Sequence, residues 1–214
     1  MIVDHVYFCT DNPEEIKFFL KKKGFVEGEP NSHPGQGTAN HRFFFKNFMF
    51  EIIYIVDETE LGSERTKVLG IKEQFKNPKS CKFGVIMRPD EEKENGFSLE
   101  SEKYKPLYLP DGMHMDVISK TFEDEPKFVY LSFAGPPKGR DECKQYIGNN
   151  EIHNVTSVSY IKKGTVSKTL KEISEKSNIS LLSNANNILE LEFDNGTNGK
   201  TEEFEPVLPL RVKW

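Results

Sequence analysis

The chain has 214 residues, of which 36% are apolar, 29% charged and 12% aromatic, and its net charge is −5. At roughly 150 residues per domain this is one large domain or two small ones, and the apolar and aromatic content excludes a disordered or fibrous chain. An excess of acidic over basic side chains argues against a nucleic-acid partner, because phosphate binding needs clustered cations.

Cys9, Cys81 and Cys143 are far apart and form no CxxC pair, which points to a reducing compartment. The first residues lack the basic start and long apolar run of a signal peptide. No stretch approaches the roughly 18 apolar residues of a membrane span. The expectation is a cytoplasmic protein with no membrane partner.

Ile2–Cys9 is rich in β-branched and aromatic residues and predicts a strand. Asn12 then offers a helix N-cap, Pro13 suits the first helical position, and Glu14 and Glu15 suit the positive end of the dipole. Ile16, Phe19 and Leu20 form an apolar stripe, and Gly24 can stop the helix. A short strand near Phe25-Val26, a polar loop from His33 to Asn40, and strands over Arg42–Lys46 and Phe48–Val56 complete a β-α-β-β-β order.

A second pass starts with a strand at Lys82–Arg88, followed by a polar stretch from Pro89 to Lys105 whose helix would be interrupted at Asn95-Gly96. Strands are then expected at Pro106–Leu109, Met113–Ser119 and Lys127–Phe133. A third pass has a strand at Asn154–Ile161, a helix marked by Val166, Leu170 and Ile173, and strands at Ile179–Leu182, Ile188–Phe193 and Val207–Val212. The expected organisation is a pair of units over 1–135 (1–56 and 81–134), a linker over 136–152, and a third unit over 153–214. The fold class is α+β, with repeated βαβββ units forming a curled mixed sheet around a cavity and helices outside.

Strand alternation puts His5, Tyr7 and Cys9 on one face of the first strand, and Met49, Glu51, Ile53 and Ile55 on one face of the fourth. Glu51 lies between Phe50 and Ile52, and a carboxylate there is costly unless paired, metal-bound or solvated by a cavity. A His and a Glu facing one hollow can bind a divalent ion or act together as acid and base. Cys9 has no evident base beside it, and no Ser/His/Asp set is recognisable.

Val3-Asp-His5-Val-Tyr-Phe, the helix after Asp11 and Phe50-Glu51-Ile-Ile, in this element order, resemble the vicinal oxygen chelate superfamily, which includes glyoxalase I, extradiol dioxygenases and bleomycin-resistance proteins. The loop His33–Asn40 and the stretch Phe204–Trp214 are similar to a glyoxalase-like subgroup. The resemblance implies that His5 and Glu51 are metal ligands for one divalent ion (Zn, Ni, Mn or Fe), with Glu51 also moving a proton.

The resemblance further implies that the loop rims the pocket, with His33, Asn40 and His41 as substrate contacts beside Tyr7, and His114 from the second unit. The family's second His/Glu pair has no counterpart here: its places fall near Phe83 or Gly84 and near Val129 or Tyr130. In the third unit they fall near Ser157 and at Glu190. Two functions stay open. One is a metal-dependent lyase, isomerase or dioxygenase; the other is a non-catalytic small-molecule binding protein of bleomycin-resistance type, with or without the ion. The partner is a small molecule, and a homodimer is one way to complete the third unit.

Overall fold

β1 (Ile2–Cys9) and α1 (Pro13–Lys22) form where the sequence predicts them in this computed structural model, which describes residues 1–91 and 97–214. Proline opens α1, acidic residues fill its first turn and lysines its last, as the helix dipole favours. Asn12 makes no side-chain cap; its backbone N–H instead donates to Thr10 Oγ1 at 3.0 Å.

The polar loop expected at 33–40 is a hairpin, made of β2 (Asn31–His33) and β3 (Thr38–Phe44), and β4 (Met49–Ile55) follows. The Phe25-Val26 strand reduces to a single bridge between Glu27 and Phe43. Gly37 turns the hairpin with φ 73°, and a Cβ there would fall 2.2 Å from the Asp57 carbonyl oxygen, so the turn requires glycine.

Residues 57–76, which carry no expectation from sequence, fold as α2 (Glu58–Leu61), a 3-10 turn (Lys67–Leu69) and α3 (Ile71–Lys76). Asp57 caps α2 by accepting the Thr59 and Glu60 N–H groups. Next come β5 (Phe83–Arg88), β6 (Ser101–Tyr104), β7 (Met115–Ile118) and β8 (Lys127–Tyr130). Pro106–Leu109 is a turn, not the predicted strand; the strand lies just before it, where no proline interrupts the ladder. Among the described residues no helix lies between β5 and β6, and the Asn95-Gly96 interruption lies outside them.

These eight strands form one mixed sheet in the order β2-β3-β4-β1-β5-β8-β7-β6. β1 and β5 run antiparallel at its centre, β4 is parallel to β1, and β8 is parallel to β5. Laid flat, eight strands would separate the edges by ~34 Å. Yet the two edge hairpins touch: the His33 and Tyr108 rings lie 6.0 Å apart, and a Cβ on Gly35 would sit 2.5 Å from Leu107. The sheet therefore curls without closing.

One face of this sheet, with Val6, Phe8, Phe43, Phe50, Phe83 and Phe128, shares a continuous apolar core with α1 and a second sheet. That sheet contains β9 (Val155–Lys162), β10 (Ile179–Ser183), β11 (Ile188–Phe193), β12 (Thr201–Glu203) and β13 (Leu210–Lys213), with α4 (Lys168–Lys176) packed on it. Ser167 caps α4 through the Leu170 N–H at 3.0 Å. The expected elements are present, with β12 added between β11 and β13, and among the described residues a repeat of the β1–β4 pairing is not seen. β10 lies parallel beside β9, and β13 pairs with β11, giving β10-β9-β11-β13-β12.

The ring pairs Phe25–Phe204 (5.8 Å) and Phe45–Phe193 (4.7 Å) join the two sheets. Each buried phenylalanine contributes about 2 kcal/mol. The expected linker over 136–152 is tied into the same body: Ile147 and Ile152 are buried, and Gln145 Nε2 donates to the Phe44 carbonyl at 2.7 Å.

The expectation of helices only outside the sheet is corrected by α3. It lies on the other face of the large sheet, where Ile71 and Phe75 pack with Tyr7 and Cys9. Two apolar residues one turn apart are enough to seat so short a helix. Among the described residues no helix is long and apolar enough to cross a membrane.

Candidate functional site

The register His5↔Met49 and Tyr7↔Glu51 between parallel β1 and β4 puts His5, Tyr7 and Glu51 on the α3 face of the large sheet. There they line a cavity of about 210 Å³ together with Asn31, His33, Gln36 and Tyr108. The rest of the wall is apolar: Ile53, Ile86, Met115 and Val129 from the sheet, and Leu69 and Ile71 from the segment beneath. Two larger grooves, of about 520 and 430 Å³, lie elsewhere. Neither contains the His5–Glu51 pair.

The polar wall is fixed by its neighbours. The Gly35 and Gly37 N–H groups donate to Glu60 Oε2 at 2.8 and 3.1 Å, which holds the β2–β3 turn on α2. Thr38 Oγ1 contacts His33 Nδ1 at 2.9 Å and accepts from Gln36 Nε2 at 2.9 Å. Burial lowers the His33 pKa; the Glu51 charge opposes this, and Arg42 and His5 reinforce it, so His33 is neutral at pH 7.

His5 Nδ1 lies 2.6 Å from Asp4 Oδ2, and Arg88 Nε lies 3.4 Å from the other Asp4 oxygen. Burial works to raise the Asp4 pKa. The His5 hydrogen bond, and then the charges of His5, Arg88 and Arg140, bring it below the ordinary value. The imidazole is thereby oriented by an ionised carboxylate.

Glu51 is 7% exposed. Its Oε1 accepts from Asn40 Nδ2 at 3.0 Å, while Asn40 Oδ1 accepts the Asn31 N–H at 2.8 Å. The second bond fixes which end of the Asn40 amide faces the carboxylate, since an N–H needs an oxygen opposite it. Among the described residues, Oε2 accepts no hydrogen bond and no Lys, Arg or His nitrogen comes within 4 Å of Glu51. Arg42 stands directly across the ladder from Glu51 but turns away. Its Nε donates to the Glu29 carbonyl at 2.7 Å, and its guanidinium stacks 5.0 Å over Phe44.

Tyr7 contributes its ring to the cavity, but its hydroxyl donates to Gln74 Oε1 at 3.0 Å. Burial pushes that phenol well above its ordinary value, so it stays neutral. The ring lies over Gly84, its partner on β5, where a Cβ would fall within 1.9 Å of a ring atom. This explains a glycine where the resemblance would put a second ligand. Cys9 also sits behind α3, its thiol held protonated by burial.

Three expected contacts are corrected. His41 neighbours Asn40 in β3 and therefore faces the opposite side. It stacks on Tyr54 at 5.2 Å and reaches Glu27 and Glu14 at 2.9 and 3.1 Å, away from the cavity. His114 precedes β7 and lies 3.6 Å from Asp116, outside the cavity; the neighbouring Met115 enters it instead. Asn40 acts on Glu51 and does not line the wall.

Asn31, Gln36, Leu69, Ile71 and Tyr108 were not anticipated. Only Ile71 and Phe75, spaced four apart, gave a signal for the segment beneath.

His5 and Glu51 are two donors, and a resident divalent ion needs three or four. Among the described residues no group of three His, Cys, Asp or Glu side chains is arranged to hold a metal, although His33 lines the same cavity. Among the described residues the donor set therefore stays short of a complete metal centre.

No family model matches the sequence, and no curated protein matches it. A crystal structure of a hypothetical protein from Staphylococcus aureus is similar over 99% of this chain and 98% of that one, with a TM-score of 0.55 and 11% identity. At that identity the likeness concerns the fold alone.

Proposed function

We propose that the chain is a small-molecule-binding protein related to the non-catalytic, bleomycin-resistance type of the vicinal oxygen chelate superfamily. Its ligand occupies the cavity between the two halves of the curled sheet. The strand order supports the relationship: β2-β3-β4-β1 is mirrored by β6-β7-β8-β5, with a parallel first-to-last pairing in each half. The mirrored halves are read as two modified repeats, the second without a helix among its described residues.

The observation that carries the function is that Glu51, His5 and His33, with Asn31 and Gln36, line one cavity whose remaining wall is largely apolar. Pockets that bind small molecules combine an apolar lining with a few placed polar groups in this way. At ~30 Å³ per water, the volume holds about seven waters or one compact organic molecule.

A second reading, proton transfer on the bound molecule, draws on the Asp4–His5 pair, which is built like an oriented general base. Native mass spectrometry of the gently purified protein, followed by identification of any small molecule released, tests both readings. A ligand recovered unchanged after incubation supports binding, and conversion lost in His5→Ala supports proton transfer. Chemical-shift changes confined to other surfaces when ligands are screened would overturn the cavity assignment.

A further inference from the structure

We infer that the ligand presents a positively charged nitrogen, as an organic ammonium or amidinium group, to Glu51 Oε2, with an apolar body lying against Ile86, Met115 and Val129. This deepens the binding-protein reading and rests on it.

The argument begins with desolvation. A carboxylate 7% exposed and flanked by Phe50 and Ile52 is costly to keep unless a charge or solvent in the cavity meets it, and a charge does so more strongly. Glu51 has a single neutral donor, Asn40, and that donor's orientation is locked by the Asn31 N–H. The cross-strand Arg42 is committed to the Glu29 carbonyl.

The other basic groups nearby are also engaged or neutral. Arg140 donates to the Phe48 carbonyl at 3.3 Å and stacks on Phe44, and burial keeps His33 neutral. The His5 ring is turned to Asp4. The chain thus supplies an oriented acceptor lining a cavity, with no Lys, Arg or His nitrogen within 4 Å of it among the described residues. Because the donors among the described residues do not form a metal set, the missing charge is assigned to an organic cation. The Tyr108 ring at the rim can lie against such a cation, and the apolar far wall favours a hydrocarbon body.

Three compounds of one shape and different charge test this: benzylamine, benzyl alcohol and benzoate, each titrated into the full-length ¹⁵N-labelled protein at pH 7. Benzylamine should shift the amides of Tyr7, His33, Glu51 and Ile86 and bind about tenfold or more tighter than benzyl alcohol, the difference between charged and neutral hydrogen bonds. Benzoate should not bind. In Glu51→Gln the preference for the amine should vanish while benzyl alcohol still binds. The comparison among ligands in the unmodified protein stands even if that variant misfolds.

Equal binding of amine and alcohol, or a preference for benzoate, overturns the cationic ligand and leaves the cavity reading intact. If none of the three perturbs the cavity residues, the cavity reading itself fails. Stoichiometric Zn²⁺ or Mn²⁺ binding that shifts His5 and Glu51 and excludes benzylamine would replace the organic cation with a metal.

Discussion

Glu51 in the large sheet and Glu190 in the small one occupy comparable places. Each sits mid-strand between two apolar residues, Phe50 and Ile52 or Leu189 and Leu191, and each is 6–7% exposed. Each also has an arginine directly across the ladder, Arg42 or Arg211. Glu190 is held by two cations, Arg211 Nη1 at 3.0 Å and Lys213 Nζ at 2.9 Å. Among the described residues Glu51 is held by none, and its arginine is drawn off to a backbone carbonyl. The same residue in the same kind of strand is charge-paired in the small sheet and, among the described residues, left without a cation in the large one.

Removing both partners of Glu190 in Arg211→Met/Lys213→Met should give the largest change. It strands a buried carboxylate and should cost about 3 kcal/mol, measured by urea unfolding. An unchanged midpoint would show that burial of a lone carboxylate is cheap in this protein, and the contrast would lose its force. Gly84→Ala should destabilise by about 2 kcal/mol, because the new methyl displaces the Tyr7 ring that walls the Glu51 side. A silent substitution there would mean that the ring is free to move and the cavity is loosely defined.

Glu51→Gln should do the opposite of the Glu190 changes and stabilise the ligand-free protein by about 1 kcal/mol, since it removes an uncompensated charge and keeps the Asn40 bond. The smallest effect concerns pH. The folded His33 pKa lies below the ordinary 6.5, so below pH 6.5 the unfolded state takes up a proton that the folded state resists. Stability should therefore fall as pH drops from about 6.5 toward the folded value. His33→Gln should remove that part of the slope; an identical slope in both proteins would place His33 in water.

The pairing of His5 with Glu51 in one hollow was legible because period-two alternation along two hydrophobic strands fixes which side chains share a face. The same rule, applied to β3, separates Asn40 from His41, so grouping both as contacts ignored the pleat. The lining from Asn31 and Gln36 was hidden by a hairpin whose glycine turn depends on Asp57 and Glu60, twenty or more residues away. Leu69 and Ile71 lie in pieces of helix too short to leave a full period. The pairing in the small sheet was likewise not readable, since strand order depends on tertiary packing that element order does not specify.

The central claim is that Glu51 awaits a positive charge from outside the chain. Thermal unfolding of the unmodified protein and Glu51→Gln, each with and without 10 mM benzylamine (roughly a saturating level for a weak millimolar ligand), tests it most directly. The account expects the variant to melt higher without the amine, and the amine to raise the melting temperature of the unmodified protein alone. A variant that melts lower, together with equal or absent shifts in both proteins, would contradict it.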